Sequence, residues 1–370
     1  MKLGTALEAA GRPARASARA LSFFEFWPSW LFYTPAVTHW VMLGLRYGAQ
    51  FLPAVANPHI EYGGFAGESK SSILDQVTGP ARFLLAPYVV VPTDAKDPSA
   101  DVEVAMAALA ATGLTFPLVA KPDIGCNGTG VRLIHREADL LRYFTDFPRG
   151  PRVLLQELVP HEGEAGLFYI REPGAAQGRI TSITLKHAPY VTGDGRSTLR
   201  ELVLGDERAG KVPHLYLPRL QEQDRLETVP AQGERVRLVF AGNHCKGSIF
   251  EDGAAYASQE MTDAIDRLAR AMPDFHFGRI DVRFESIASL RRGTGFRVIE
   301  INGVTSEPTH IWDPRTRLLD AWRTQFFHYG AAFRIGRANR ARGFKPPSIP
   351  FMLRALQKQR RLLASYPLND

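Results

Sequence analysis

Cysteine is nearly missing from these 370 residues: Cys126 and Cys245 are the only two. So few exclude a disulfide framework, their separation fits no zinc site, and a reducing, cytoplasmic compartment is expected. Long apolar runs are missing as well. The stretch Phe23 to Trp40 holds eight aromatics in eighteen residues, yet Glu25, Pro28, Pro35 and His39 interrupt it. No uninterrupted spanning helix is expected there, and no cleavable signal pattern precedes it. Acids are missing from 331 to 369, where Arg334, Arg337, Arg340, Arg342, Lys345, Arg354, Lys358, Arg360 and Arg361 lie. Set against Asp370, these nine give the tail a net +8 within a chain of net +7, which leaves −1 for the remainder. Basicity is therefore local. Internal repeats and low-complexity tracts are absent.

What is present begins with two alternating segments, Phe277 to Phe284 (FGRIDVRF) and Phe296 to Asn302 (FRVIEIN), joined by a turn-rich stretch from Ala288 to Gly295. On such strands Glu300 and Asn302 share a face. A hairpin pairing Asp281 with Glu300 turns Ile280, Val282, Ile299 and Ile301 to the other face, into a core. Asp281, Glu300 and Asn302 then converge as hard oxygen ligands, a set suited to Mg²⁺ carrying phosphates, with Mn²⁺ as the alternative, and unsuited to zinc. The bland reading of the same alternation is a hairpin with one wet face. Arg279 stands two residues before Asp281 and faces the same way.

A second segment, Phe116 to Ile134, reads as strand, Gly-rich loop, strand. Lys121 ends the first strand. Gly125, Gly128 and Gly130 let the loop backbone approach a phosphate and aim its N–H groups at it. The loop lacks the Gly-Lys-Ser/Thr closure of a Walker A motif and runs into Val131-Arg-Leu-Ile134 rather than into a helix, so it is no dinucleotide fingerprint either.

Lys-Pro before a Gly-rich hairpin loop, then Gly278-Arg-Ile-Asp281, then Glu300-Ile-Asn302, in that order, resembles the ATP-grasp superfamily. Gly278 to Asp281 is similar to D-alanine:D-alanine ligases, and Gly193 to Leu202 (GDGRSTLREL) resembles cyanophycin-synthetase-like and glutathione-forming members. The resemblance covers roughly 65–315 and implies a mixed α/β (α+β) fold in which two subdomains grip ATP. It implies that Lys121 holds the α and β phosphates, that the loop with Gly125, Asn127, Gly128, Thr129 and Gly130 closes over the triphosphate, and that Lys70 is a further phosphate contact. Val153 to Val159 matches the hinge whose backbone reads adenine. There Gln156 stands where many relatives have Glu, which leaves Glu157 and Val159 open by one position. Glu164 or Glu162 meets the ribose, and Lys186 is another nucleotide contact.

The family's chemistry is activation of a carboxylate as an acyl phosphate, followed by attack of an amine-type nucleophile. Negative charge builds in each step, so positioning and fixed cations do the work. Arg279 is the first choice to stabilise the intermediate, with Lys246 and His244, in Asn243 to Gly247, as further catalytic candidates. After Asn302 the chain departs from the D-alanine ligases, and Thr305, Ser306, Glu307 and His310 become candidates to read the nucleophile, Glu307 being suited to an ammonium group. The alternatives are a kinase acting on a non-carboxylate acceptor and a catalytically silent nucleotide-binding scaffold.

The expected divisions are an aromatic helical segment (1–60), a reduced N-terminal lobe (61–115), a small ATP-grasp subdomain (116–205), a C-terminal subdomain with the metal site (206–315) and a helical basic tail (316–370). Helices are expected over 101–111, 137–144, 197–204 and 258–272, a strand over 236–240, and a connector over 206–232. The aromatic segment is expected to pack on the body or line a substrate pocket. Small carboxylates and amines are the expected partners. The tail reads as a solvated helix or as a contact for an anionic inner-membrane surface or an acidic partner. No nucleic acid is expected, and a homodimer is compatible with the sequence.

Overall fold

The computed structural model describes residues 21–240 and 242–367; the signal-pattern expectation and Asp370 fall outside them. The chain is mixed α/β with antiparallel sheets, the fold class expected. It enters through α1 (Ser29–Tyr47) and the five-residue α2 (Lys70–Leu74). Valine- and leucine-rich runs then form β1 (Tyr88–Val91), β2 (Leu118–Pro122), β3 (Arg132–Ile134) and β4 (Val153–Glu157), a sheet of order β1-β4-β2-β3. It is closed by α3 (Pro98–Thr112), whose N-cap Asp97 accepts from the Ser99 N–H, and α4 (Glu137–Asp146). Leu109, Leu140 and Tyr143 pack on Leu118, Ala120 and Leu155 in its core.

The second sheet contains β5 (Gly163–Ile170) and β6 (Arg179–His187). A small excursion follows, β7 (Tyr190–Thr192), α5 (Leu199–Gly205) with a Thr198–Glu201 capping box, α6 (Leu217–Glu222) and β8 (Arg235–Arg237). The chain then returns through β9 (Ile249–Asp252), α7 (Gln259–Arg270), β10 (Phe277–Phe284), α8 (Ile287–Arg291) and β11 (Phe296–Asn302), giving the order β11-β10-β5-β6-β9. Ala165, Leu167, Ile280 and Val282 bury one face under Met261, Ile265 and Leu268 of α7. On the opposite face Phe168, Ile170 and Phe277 lie beneath α9 (Leu318–Ala341), and the row then changes from apolar to charged. That charged half-face is the floor of a cleft.

Several expectations are corrected. Alternating strands announce themselves but not their partners. β1, inside the segment 61–115, joins the small sheet, whereas β5 and β6, inside 116–205, join the large one. The segment 61–115 is thus no separate lobe, and Ile73, Leu74 and Val77 bury in the large sheet's core. The strand expected over 236–240 is β8 alone. The link between β10 and β11 contains α8, set by a capping box between Ser286 and Ser289. Asp281 does pair with Glu300, but the register slips between Asp281 and Val282, a β-bulge that makes Ile299 the extra residue. Val298 fills the core position opposite Val282, and Ile299 lines the cleft.

The tail is not a free solvated helix. After α9, residues 342–348 lead to α10 (Ile349–Leu363), which crosses back to the small sheet. There Tyr366 stacks on Phe147 (5.1 Å) and donates to the Ile124 carbonyl (2.7 Å), while all nine basic residues remain exposed. The aromatic segment packs as expected: Phe24 and Phe32 bury against Phe250, Ile311 and Trp312. Among the described residues, no helix is long and apolar enough to cross a membrane.

Candidate active site

A cleft of about 670 Å³ opens between the two sheets, within the size range of small-molecule sites. Its floor is set by strand parity. Arg279, Asp281 and Arg283 rise from β10, Glu164 from β5 and Lys186 from β6, all on the face away from α7. Gly166 stands opposite Asp281, and a Cβ there would meet the Arg279 Cδ at 2.9 Å and the Asp281 Oδ1 at 3.0 Å. The missing side chain is what lets this pair lie flat on the sheet.

Asp281 is the hub. Arg279 donates to it from Nε (2.8 Å) and Nη2 (3.1 Å), Asn302 from Nδ2 (3.3 Å), and Lys186 Nζ lies 3.3 Å away. Burial by itself raises the Asp281 carboxyl, but Arg279 and Lys186 overcome it and hold the group below the ordinary carboxylate range. Glu300 behaves alike: Lys70, 3.3 Å away, and Lys121 outweigh burial. Lys70 is positioned by Asp123, which accepts from Ser69 Oγ, the Ser71 N–H and Arg152, and Lys70 in turn reaches the Gly125 carbonyl. One ammonium thereby joins the glycine loop to the metal-ligand candidates. In that loop Asn127, Gly128 and Gly130 adopt positive φ (55°, 68° and 72°), the left-handed conformation glycine takes most easily.

The two enclosed lysines titrate in opposite directions. Lys186 lies between Glu164 (3.1 Å) and Asp281; burial lowers its pKa, the carboxylates overcome burial, and the net shift is upward. Lys121 hydrogen-bonds to neutral acceptors, Gln156 Oε1 (2.8 Å) and the Ile299 carbonyl (2.9 Å), and the charge of Glu300 offsets its burial only in part. Burial prevails there and brings it down to about 8.

Lys70, Lys121, Gly125, Asn127, Gly128, Thr129, Gln156, Glu157, Val159, Glu164, Lys186, Arg279, Asp281, Glu300 and Asn302 line one cleft, as do Thr305, Ser306 and Glu307. Gly130 sits behind the loop, where a Cβ would meet Pro122 at 2.8 Å. Of the two ribose candidates, Glu164 lines the cleft, whereas Glu162 is exposed outside it. Lys246 is not among the cleft residues; it is partly buried near Arg219, whose charge adds to burial in lowering its pKa. His310 is corrected likewise, since its Nδ1 contacts Ser182 Oγ (2.6 Å) outside the cleft lining. His244 does line the cleft, but its Nε2 meets Glu25 Oε1 (3.1 Å), and its ring stacks on Phe26 and Trp312. Glu25 also holds Arg208, so this network pins the aromatic segment to the 243–247 loop.

Arg283 escaped sequence reading although it shares the parity of Arg279 and Asp281; its Nη2 lies 3.6 Å from Glu164. Tyr33, Gln325 and Tyr329 also line the cleft, from helices whose sequence carries no motif.

No family model and no curated protein matches the chain. Among solved structures it is similar to a bifunctional glutathione synthetase from Pasteurella multocida (18% identity, covering 69% of this chain and 36% of that one, TM-score 0.36). It is also similar to D-cycloserine synthetase DcsG (16%, 72% and 70%, 0.36) and to VanG D-Ala:D-Ser ligase from Enterococcus faecalis (12%, 73% and 64%, 0.39). All three are ATP-grasp ligases. The match spans about a third of the glutathione synthetase's length.

Among the described residues no three His, Cys, Asp or Glu side chains form a self-sufficient metal cage. The donor set is two carboxylates and an amide. That fits a hard cation completing its shell with phosphate oxygens and water, as Mg²⁺ does, better than an all-protein site.

Proposed function

We propose that the protein is an ATP- and Mg²⁺-dependent ligase that activates a carboxylate as an acyl phosphate and joins it to an amine-type nucleophile. The observation that carries this reading is the single cleft in which Lys70, Lys121, Lys186 and Arg279 face Asp281, Glu300 and Asn302. It offers cations for phosphate and carboxylate oxygens and no activated covalent nucleophile on its floor.

In this reading Lys121, Lys70 and the loop from 125 to 130 hold the phosphates, and the hinge around Glu157 to Val159 borders the base. Asp281, Glu300 and Asn302 would hold Mg²⁺, which supplies charge neutralisation at the transferring phosphoryl group. The carboxylate oxygen attacks the γ phosphorus, and ADP departs. The amine then adds to the acyl carbon, Arg279 stabilises the tetrahedral oxyanion, and the C–O bond to phosphate breaks as the nitrogen loses a proton.

The lysine contrast gives a pH prediction. Free Lys121, with its pKa depressed to about 8, is largely neutral above that pH. Bound phosphate favours its charged form, so nucleotide binding takes up a proton there and weakens as pH rises from about 7 to about 9. Gln156→Glu restores a counter-charge, raises the Lys121 pKa and flattens the dependence. Calorimetric nucleotide titrations in two buffers of different ionisation enthalpy read the uptake; an equally steep profile in the variant would contradict the assignment.

The function is tested by incubating the protein with Mg-ATP and pooled carboxylates and amines while following ADP, phosphate and product mass. A ligase releases both and yields acid plus amine minus water. A phosphorylated acceptor without free phosphate would replace this reading with a kinase.

A further inference from the structure

Beyond Arg279 the cleft ends in a recess roofed by the aromatic segment. Arg279 Nη1 donates to the backbone carbonyl of Glu307 (3.1 Å), so the recess adjoins the reacting end of the site. The Glu307 carboxylate is its centre. Oε1 accepts from Tyr33 Oη (3.0 Å) and Gln325 Nε2 (2.9 Å), and Oε2 accepts from Trp312 Nε1 (2.7 Å). Three neutral donors fix the carboxylate without cancelling its charge. Among the described residues, no ion pair within 4 Å involves Glu307.

Gln325 is only 1% exposed, yet its Oε1 has no hydrogen-bond partner although the residue lines the cleft. Its Nε2 is committed to Glu307, so what remains is an acceptor. Apart from Arg279 at its edge, whose guanidinium is committed to Asp281 and the Glu307 carbonyl, the groups around the recess bring no positive charge. Burial raises the Tyr33 and Tyr329 phenols well above their ordinary pKa, with Glu307 adding to the effect, and both stay neutral. His328 is lowered by burial to about 4, and its ring nitrogens are engaged by the Thr324 carbonyl and Thr181. Phe65, Tyr33, Trp312 and Tyr329 complete an aromatic lining.

A carboxylate fixed in place, a buried unpartnered carbonyl oxygen and aromatic rings together lack one thing, a cation with N–H donors. An anionic group would meet Glu307's charge, and a neutral hydroxyl would leave that charge uncompensated. We propose that this recess is the nucleophile's subsite and that it takes a primary alkylammonium group, held by Glu307 and the Gln325 carbonyl oxygen within the ring lining; the ammonium passes one proton to the Glu307 carboxylate so that the nitrogen lone pair is free to attack. The proposal rests on the ligase reading and narrows its nucleophile to amines that are cationic in solution.

The probes are butylamine and its hydroxyl isostere butanol, titrated into the full chain with Mg²⁺ and a non-hydrolysable ATP analogue. Butylamine is expected to bind at about millimolar concentration and at least about tenfold more tightly than butanol, and Glu307→Gln removes that preference. Gln325→Leu, which keeps the Glu307 charge, weakens the amine severalfold, and melting curves show that each variant is folded. Equal affinity for the two probes, unchanged amine binding in Glu307→Gln, or no amine binding by the wild type at about 100 mM would each overturn the proposal. Failure of the ligase reading looks different. Amine binding without any condensed product sinks the ligase and leaves the recess, whereas condensation at a rate indifferent to Glu307→Gln sinks the recess and leaves the ligase.

Discussion

Glu300→Gln is expected to lower ATP-dependent turnover by about three orders of magnitude or more, the scale on which fixed charge at a phosphoryl-transfer site operates. The substitution is nearly isosteric and removes one charge from a cleft in which Lys70 lies 3.3 Å away and Lys121 also feels the carboxylate. Without it the metal-ligand candidates shrink to Asp281 and Asn302, and Asp281 is already engaged by Arg279 and Lys186. The fold should survive. The Glu300 side chain is 28% exposed, so leaving its lysine partners unpaired costs about 1–3 kcal/mol, against a large sheet whose core lies on the opposite face. ADP release and a melting curve on the same preparation check both halves. Turnover within about tenfold of wild type would contradict the metal assignment.

Arg279→Lys is expected to cost about two to three orders of magnitude in kcat while leaving the KM for ATP nearly unchanged. The guanidinium uses three nitrogens at once: Nε and Nη2 on Asp281, and Nη1 on the Glu307 carbonyl. A lysine ammonium supplies the charge but not the planar fork, so it cannot hold Asp281 and keep its bearing on the recess together. Burial lowers the Arg279 pKa, Asp281 overcomes this, and the net shift is upward; the residue therefore remains cationic and its role is not lost by titration at high pH. A large rise in KM for ATP with intact kcat would reassign Arg279 to ground-state nucleotide binding.

How much of this was legible in the sequence depended on whether local spacing or distant packing decides the matter. Alternation sufficed for β10 and β11 because one face of each is buried, and a one-residue slip would turn Ile280 and Val282 to the cleft. The same reasoning failed at Ile299. The neighbouring Val298 and Ile299 are both apolar, and a bulge between like residues leaves no trace in hydropathy. The glycine loop was legible because positive φ has few substitutes, and Asn127 is among them. Division of the strands between sheets was not legible, since β1 and β5 carry similar apolar patterns and differ only in distant partners.

At the site, Lys70, Lys121, Lys186 and Glu164, singled out by their motifs, all line the cleft. Lys246 and His310 were misplaced because the direction of a loop or short helix is set by tertiary contacts, here Arg219 beside one and Ser182 beside the other. Gln325 gave no signal. It is a polar residue in α9, and only that helix's packing over Phe168 and Phe277 brings it to the cleft. The exposed charges of the tail concealed that Tyr366, beyond the last of them, fastens α10 to the segment preceding the glycine loop.

In the proposed reaction the phosphate released comes from an acyl phosphate. Once the condensation assay names the carboxylate, its oxygens are labelled with ¹⁸O and the released phosphate is weighed. One labelled oxygen is expected in each phosphate, because the carboxylate oxygen that attacks phosphorus leaves with it. Phosphate carrying only unlabelled or solvent oxygen, formed in step with product, would contradict it.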